Sequence, residues 1–145
     1  MDNFSMQFEV RWADVDANRH MRHSAYNDYA AHLRVKLLKA IDMDLVTMAK
    51  HNFGPVLFRE ETIFYRELNM GDVITVDARL QKTRPDGSRW TFVHSFTKPD
   101  GKLAATVTVD GAWMDLAKRK LTALPEQFLE KVFTIPQTED FLCEE

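Results

Sequence analysis

The chain has 145 residues, 45% of them hydrophobic, with 19 lysines and arginines against 22 aspartates and glutamates. This size and apolar share predict a single globular domain over residues 1–145. The net charge of −3 argues against a nucleic-acid partner, and no apolar run approaches the roughly 20 residues that span a bilayer. The N-terminus lacks the pattern of a signal peptide, so we expect a cytoplasmic protein without a membrane partner. The single cysteine, Cys143, excludes an intrachain disulfide framework and a multi-cysteine zinc site.

The first half of the chain predicts one strand followed by a long helix. Residues 6–12 alternate, with Met6, Phe8, Val10 and Trp12 on one face, which is typical of a half-buried strand. After a polar stretch, Ser24 is a suitable helix N-cap. Apolar residues then recur at three- and four-residue spacing up to Ile41, which predicts an amphipathic helix of about 18 residues. A second, short helix is expected over residues 45–50.

The second half predicts strands joined by turns. The predicted strands cover residues 56–68, 73–82, 89–97 and 103–114. Two Pro-Asp-Gly turns, at residues 85–87 and 99–101, favour an antiparallel meander. A short helix is expected over residues 127–133 and a loose tail after residue 136.

These elements make an α+β domain in which one helix lies along a sheet. One helix can cover one face of the sheet but leaves the edges and the far face open. An open apolar edge must meet a partner, and self-association is the simplest solution.

The polar loop between the first strand and the long helix carries the chemistry. Its carboxylate, amide and imidazole side chains are Asp14, Asp16, Asn18, His20 and His23. The helix N-terminus that follows offers unpaired N–H groups and a partial positive charge. A carboxylate beside such donors can attack an acyl carbon, or activate water to do so, while the N–H groups hold the oxyanion.

The spacing Asp16-x3-His20-x5-Tyr26, at the opening of a helix after a strand, resembles the hotdog-fold acyl thioesterases, including the 4-hydroxybenzoyl-CoA thioesterase group. The resemblance extends over about residues 6–125 and includes Gly54-Pro55 and Tyr65, which is followed shortly by the segment at residues 68–72. It implies a long central helix wrapped by a curved antiparallel sheet of about five strands. It also implies hydrolysis of an acyl-CoA thioester to the free acid and CoA, by a homodimer or homotetramer with sites at the dimer interface.

The resemblance assigns roles to two residues of the loop. Asp16 matches the family's nucleophile or general base, and His23 occupies the position whose backbone N–H binds the thioester oxygen. The acyl-carrier-protein branch commonly has an asparagine three residues after the histidine, where this chain has His23. A backbone donor needs no particular side chain, so this departure leaves the role of Asp16 unchanged.

Other residues keep two interpretations each. Asp14 is expected to be structural, and Asn18 either shapes the turn or supports the site. His20 either orients Asp16 or packs in the loop. A metal held by His20, His23 and Asp16 is less favoured, because no element fixes them on one face, and we expect no cofactor. Glu60 and Glu61 point to opposite faces of their strand, and we favour Glu61 as an auxiliary carboxylate of the site.

Substrate-binding candidates lie on the helix and on the first Pro-Asp-Gly hairpin. Tyr26 belongs to the core stripe of the helix and can border the acyl pocket. Three cations flank the hairpin and suit the phosphates of CoA, although a solvated hairpin is the favoured explanation for any single one of them: Lys82, Arg84 and Arg89. His94 and the neighbouring aromatic residues are expected in the core or at a dimer interface.

Two other functions fit the same fold. The hotdog enoyl-CoA hydratases place a histidine five residues after the aspartate, whereas the interval from Asp16 to His20 is four. A non-catalytic acyl-CoA-binding protein is the third possibility, which the retained Asp16 disfavours.

Overall fold

The computed structural model describes all 145 residues and contains eight strands and three α-helices. The strands are β1 (Ser5–Glu9), β2 (Phe53–Phe64), β3 (Val73–Asp77), β4 (Arg79–Thr83), β5 (Arg89–Thr97), β6 (Leu103–Asp115), β7 (Lys120–Thr122) and β8 (Gln137–Cys143). The helices are α1 (His23–Ala40), α2 (Leu45–Lys50) and α3 (Glu126–Val132). None of the helices combines the length and apolarity that crossing a bilayer requires.

The strands form one sheet in which β5 is central. On one side β5 pairs with β6, and β6 pairs with β2, which is the edge strand there. On the other side β5 pairs with both β3 and β4, which β1 and β8 flank. All these pairings are antiparallel except β4 with β8. The expected α+β architecture, one long helix on an antiparallel sheet, is confirmed.

The core lies between α1 and one face of the sheet. Leucines and alanines at three- and four-residue spacing bury one stripe of α1, as the periodicity predicts. Opposite them, alternate residues of the central strands are buried, including Val76, Phe96 and Val107. The helix therefore fixes its N-terminus against one end of the sheet.

The start of α1 differs from the prediction. The helix begins at His23, its N-cap is Arg22, and no side chain caps it. Ser24 lies inside the first turn, where its Oγ is 2.6 Å from Nη1 of Arg22. The prediction of Ser24 as the N-cap is therefore wrong, because the guanidinium of Arg22 occupies the hydroxyl.

The strand predicted over residues 6–12 ends earlier, at Glu9. Residues Trp12–Asp14 form a 3-10 turn, and Trp12 is 80% exposed rather than facing the core. The buried carboxylate of Asp14 causes this turn, because it accepts hydrogen bonds from the backbone N–H and the guanidinium of Arg11.

The tail after residue 136 is ordered, so the prediction of a loose tail is wrong. It forms β8, which pairs in parallel with β4 and ends at the exposed Cys143. The pairing is supported by Lys82, whose Nζ lies 3.2 Å from a carboxylate oxygen of Glu144, and by a hydrogen bond from Gln81 to Asp140.

Candidate active site

A cavity of about 360 Å³ lies where the polar loop, the N-terminus of α1 and the end of β2 meet. Four predicted site residues line it: Asp16, His20, His23 and Tyr26. The last residue of β2, Phe64, and the three residues after it, up to Glu67, form the opposite wall. In the sequence, the only indication of this wall was Tyr65, through the resemblance to the hotdog-fold thioesterases.

The loop holds the carboxylate of Asp16 in a fixed position. The backbone N–H of Asp16 donates to the carbonyl oxygen of His20 over 2.9 Å. This hydrogen bond closes a tight turn in which Arg19 has a positive φ of 64°. Oδ1 of Asp16 accepts from the backbone N–H groups of Asn18 at 2.9 Å and His20 at 3.3 Å. Oδ2 has no partner within the chain, so the carboxylate keeps one oxygen free on an exposed residue of the cavity.

The start of α1 supplies hydrogen-bond donors to the same cavity. Because no side chain caps the helix, the backbone N–H groups of His23 and Ser24 have no acceptor within the chain. Free N–H groups at a helix N-terminus carry partial positive charge and bind anionic oxygen. The cavity therefore holds a free carboxylate oxygen, from Asp16, near the free N–H groups at the start of α1, where His23 lines it.

His20 connects the two walls of the cavity. Its Nε2 lies 3.1 Å from Oε2 of Glu67, beyond the end of β2. Its own backbone N–H donates to Oδ1 of Asp16 over 3.3 Å, whereas its imidazole contacts Glu67 and not Asp16.

Tyr26 is both a core residue and a wall of the cavity. Its side chain is buried and packs edge-on against Phe64, with ring centroids 5.0 Å apart. Burial, and secondarily the charge of Asp16, raise the pKa of Tyr26 to about 12, so its hydroxyl stays protonated at neutral pH.

Asp14 is structural, as predicted. It is buried, and it accepts hydrogen bonds from Arg11 and from the hydroxyl of Tyr29. The hydrogen bonds from Arg11 lower the pKa of Asp14 to about 2, so the carboxylate stays charged. Asn18 shapes the turn through its backbone, and its side chain lies outside the cavity lining.

Glu60 and Glu61 lie on opposite faces of β2, as expected, and it is Glu60 that lies on the helix side. Thr62 donates to Asn27 of α1 over 3.0 Å, so Thr62 and Glu60 lie on the helix side of β2. Glu61 lies on the other face, in an ion pair with Arg59 at 2.6 Å. A bulge just before Arg59 sets this alternation, and neither glutamate lines the cavity.

The hairpin cations are not brought to the cavity within one chain. They are Lys82, Arg84 and Arg89. Arg89 is in register with Ala112 of β6, whereas Phe64, at the cavity, is in register with Ala105. Seven residues of strand separate these positions by about 24 Å.

His94 is a buried core residue, as predicted. Its Nδ1 lies 2.9 Å from the carbonyl oxygen of Asp77 and its Nε2 lies 3.1 Å from Nη1 of Arg34. No group of three histidine, cysteine, aspartate or glutamate side chains is arranged to share a metal ion.

The folded chain is similar to a solved CoA complex and to two solved thioesterases. A Staphylococcus aureus protein in complex with CoA shares 24% identity at a TM-score of 0.87, covering 94% of this chain and 87% of that one. A 1,4-dihydroxy-2-naphthoyl-CoA thioesterase from Synechocystis shares 16% identity at a TM-score of 0.80, and the match covers 90% of this chain and 96% of that one. A DHNA-CoA thioesterase from Staphylococcus aureus shares 14% identity at a TM-score of 0.82, and the match covers 92% of this chain and 91% of that one. These likenesses establish a common fold.

The sequence itself gives the family. A search of curated proteins finds no match. Residues 10–132, however, match the thioesterase-like superfamily, and this range includes the polar loop, α1 and the whole cavity. The chain therefore belongs to the thioesterase-like superfamily and is a thioester hydrolase with the hotdog fold.

Proposed function

We propose that the protein hydrolyses an acyl-CoA thioester to the free carboxylic acid and CoA. The observation that carries this proposal is the shared cavity of Asp16 and the uncapped N-terminus of α1. A carboxylate with one free oxygen and a pair of free N–H groups are the two elements that acyl transfer to water requires.

The proposed mechanism uses each element once. The thioester carbonyl oxygen accepts hydrogen bonds from the N–H groups of His23 and Ser24, which stabilise the tetrahedral oxyanion. The free Oδ2 of Asp16 either attacks the acyl carbon, forming an anhydride that water hydrolyses, or takes a proton from an attacking water. In both routes water supplies the hydroxyl of the acid, and the departing thiolate of CoA ends as the thiol.

The similarity to a CoA complex and to two aryl-CoA thioesterases supports CoA as the carrier of the acyl group. Within one chain, however, the cavity has no nearby cationic hairpin to hold the nucleotide phosphates. A second copy of the chain can provide one.

We propose a homodimer formed through β2. This strand has 12 residues, pairs only with β6, and leaves one edge open with large exposed side chains, including Phe58 and Ile63. An open apolar edge of this length favours pairing with another strand. A two-fold antiparallel pairing of β2 with itself lays the hairpin end of one protomer, with Arg89, beside the Phe64 end of its partner.

A thiol-release assay over short, long and aromatic acyl-CoAs tests the function. The variant Asp16→Asn keeps an oxygen for the turn hydrogen bonds but removes the carboxylate charge, so we expect turnover to fall by about 10²- to 10⁴-fold. Asp100→Asn is the matched control, because Asp100 is exposed and its Oδ1 accepts from the backbone N–H of Lys102 in a similar turn. Unchanged turnover in Asp16→Asn refutes the proposed mechanism, and binding without thiol release across the panel refutes the activity.

A further inference from the structure

A second cavity, of about 190 Å³, lies between the middle of α1, the start of β2 and the central strands. Its walls are apolar except for three side chains: Arg34, Trp90 and Trp113. An apolar protein cavity of roughly 150 Å³ holds a benzene-sized molecule, so this one has room for one ring or a short chain.

Arg34 brings a positive charge to this cavity that no carboxylate neutralises. Because a carbonyl oxygen only accepts, Nδ1 of His94 carries the proton toward Asp77, and Nε2 accepts from Arg34. Burial, and secondarily the charge of Arg34, lower the pKa of His94 to about 3, so the imidazole is neutral. His94 therefore uses one N–H of the guanidinium without offsetting its charge.

The nearest acidic influence on Arg34 is Glu60, on the helix side of β2. It opposes the lowering of the Arg34 pKa by burial, but the two side chains form no ion pair within 4.0 Å. A guanidinium has five N–H donors, so Arg34 keeps donors beyond the one that His94 accepts.

The two tryptophans add further unused donors. The indole Nε1 atoms of Trp90 and Trp113 are buried without a hydrogen-bond partner, in side chains that are 5% and 2% exposed. Buried indole N–H groups ordinarily find an acceptor. Both side chains line the cavity.

The polar side chains that line the cavity are therefore donors alone. No side chain of the lining offers an acceptor. A ligand hydroxyl or amide would bring a donor that finds no partner there. A carboxylate accepts only, offsets the charge of Arg34, and matches the planar fork of a guanidinium.

Both this cavity and the candidate active-site cavity are lined by residues of α1 and β2. His23 and Arg34 lie on the same helix, eleven residues and about 16 Å apart. Leu57, at the cavity, lies toward the end of β2 that faces a partner's Phe64 in the proposed dimer.

We propose that this cavity binds the far end of the acyl group and that this end is a carboxylate, so that the substrates are CoA monothioesters of dicarboxylic acids. The inference rests on the proposed hydrolysis and adds its substrate class. Arg34 is the specificity-determining residue, with Trp90 and Trp113 as neutral donors.

The test compares pairs of thioesters that differ only in the terminal carboxylate: adipoyl-CoA with hexanoyl-CoA, and sebacoyl-CoA with decanoyl-CoA. We expect kcat/KM to be about 10- to 100-fold higher for the thioester with the terminal carboxylate in at least one pair. A charge-assisted hydrogen bond contributes a preference of this size. Arg34→Met should abolish the preference, and Arg34→Lys should retain part of it. Lys36→Met, on an exposed position of the same helix, is the control and should leave the ratio unchanged.

Two further measurements keep the inference testable. Trp113→Phe keeps an aromatic ring but removes the indole N–H donor, and it should reduce the preference even if Arg34→Met fails to fold. Calorimetric Kd values for adipoyl-CoA and hexanoyl-CoA on Asp16→Asn report the preference without turnover.

The inference is overturned if neither dicarboxylic thioester is preferred over its partner, or if the preference persists in Arg34→Met. Thiol release in these same assays would still uphold the hydrolase. Conversely, a preference in Kd with no thiol release from any substrate refutes the hydrolysis and retains the carboxylate site.

Discussion

The indole ring of Trp90 lies directly over Gly111 on the neighbouring strand. A Cβ placed on Gly111 would come within 2.3 Å of Cη2 of Trp90 and 2.4 Å of the backbone oxygen of Val56. The absence of a side chain at residue 111 thus lets Trp90 lie flat between β5 and β2, where its position shapes the second cavity.

We expect Gly111→Ala to destabilise the protein by about 1–3 kcal/mol, because one of the clashing atoms, the oxygen of Val56, belongs to the backbone and cannot move freely. Urea unfolding measures the change. Gly54→Ala is the control, since its Cβ would meet only the side chain of Leu116 at 3.6 Å. Equal stabilities of the two variants would show that the strands shift apart without cost.

The buried His94 predicts a loss of stability in mild acid. Its folded pKa of about 3 lies below its ordinary value of 6.5, so between these pH values the unfolded chain binds the extra proton. The free energy of unfolding should therefore fall as the pH drops below 6.5, by about 1.4 kcal/mol at pH 5.5.

Urea unfolding of the wild type and His94→Gln at pH 7.5 and 5.5 isolates this contribution, because other groups titrate in both proteins. We expect the wild type to lose more stability than the variant over this range. Equal losses would mean that His94 becomes protonated without unfolding.

The His20–Glu67 pair should contribute little to stability. Their side chains are 35% and 71% exposed, and exposed ion pairs contribute about 0–1 kcal/mol. A double-mutant cycle with His20→Ala and Glu67→Ala, followed by urea unfolding, measures the coupling. A coupling above about 2 kcal/mol would contradict this expectation and point to a more tightly closed cavity.

The proposed dimer predicts the effect of a charge on the β2 edge. Ile63 is 43% exposed on β2, outside both cavities, and Ile63→Lys should weaken association at least about tenfold by burying a cation. Sedimentation equilibrium reports the mass. Val73→Lys is the matched control, because Val73 is 47% exposed on β3, a strand paired on both sides. This interface would be ruled out if the wild type sediments as a monomer, or if the Ile63→Lys variant still sediments as a dimer.

Local sequence patterns predicted correctly those elements that local interactions determine. The periodicity of α1 and the alternation of β5 gave these elements to within a residue or two, since each pattern reports one buried face. The polar loop and the start of α1 are adjacent in sequence. For this reason Asp16, His20, His23 and Tyr26 could be grouped correctly in one cavity.

Pairing between distant segments explains the errors. β8 is polar on its own and becomes a strand because β4 lies beside it. The bulge before Arg59 decides that Glu60 rather than Glu61 faces the helix, and a bulge arises from the match between two strands. Strand register likewise decides that Arg89 lies at the end of the sheet away from the cavity, and no local pattern reports that register.

The two edges of the sheet are unequal, and this inequality limits how far the protein can assemble. The edge opposite β2 is divided between two short strands, β1 and β8, and polar side chains dominate the exposed surface of β8. Such an edge is a poor template for a further strand. The proposed two-fold pairing through β2 would use the only long apolar edge of each chain, so growth through the sheet would close at two chains and would have no route to an open-ended fibre.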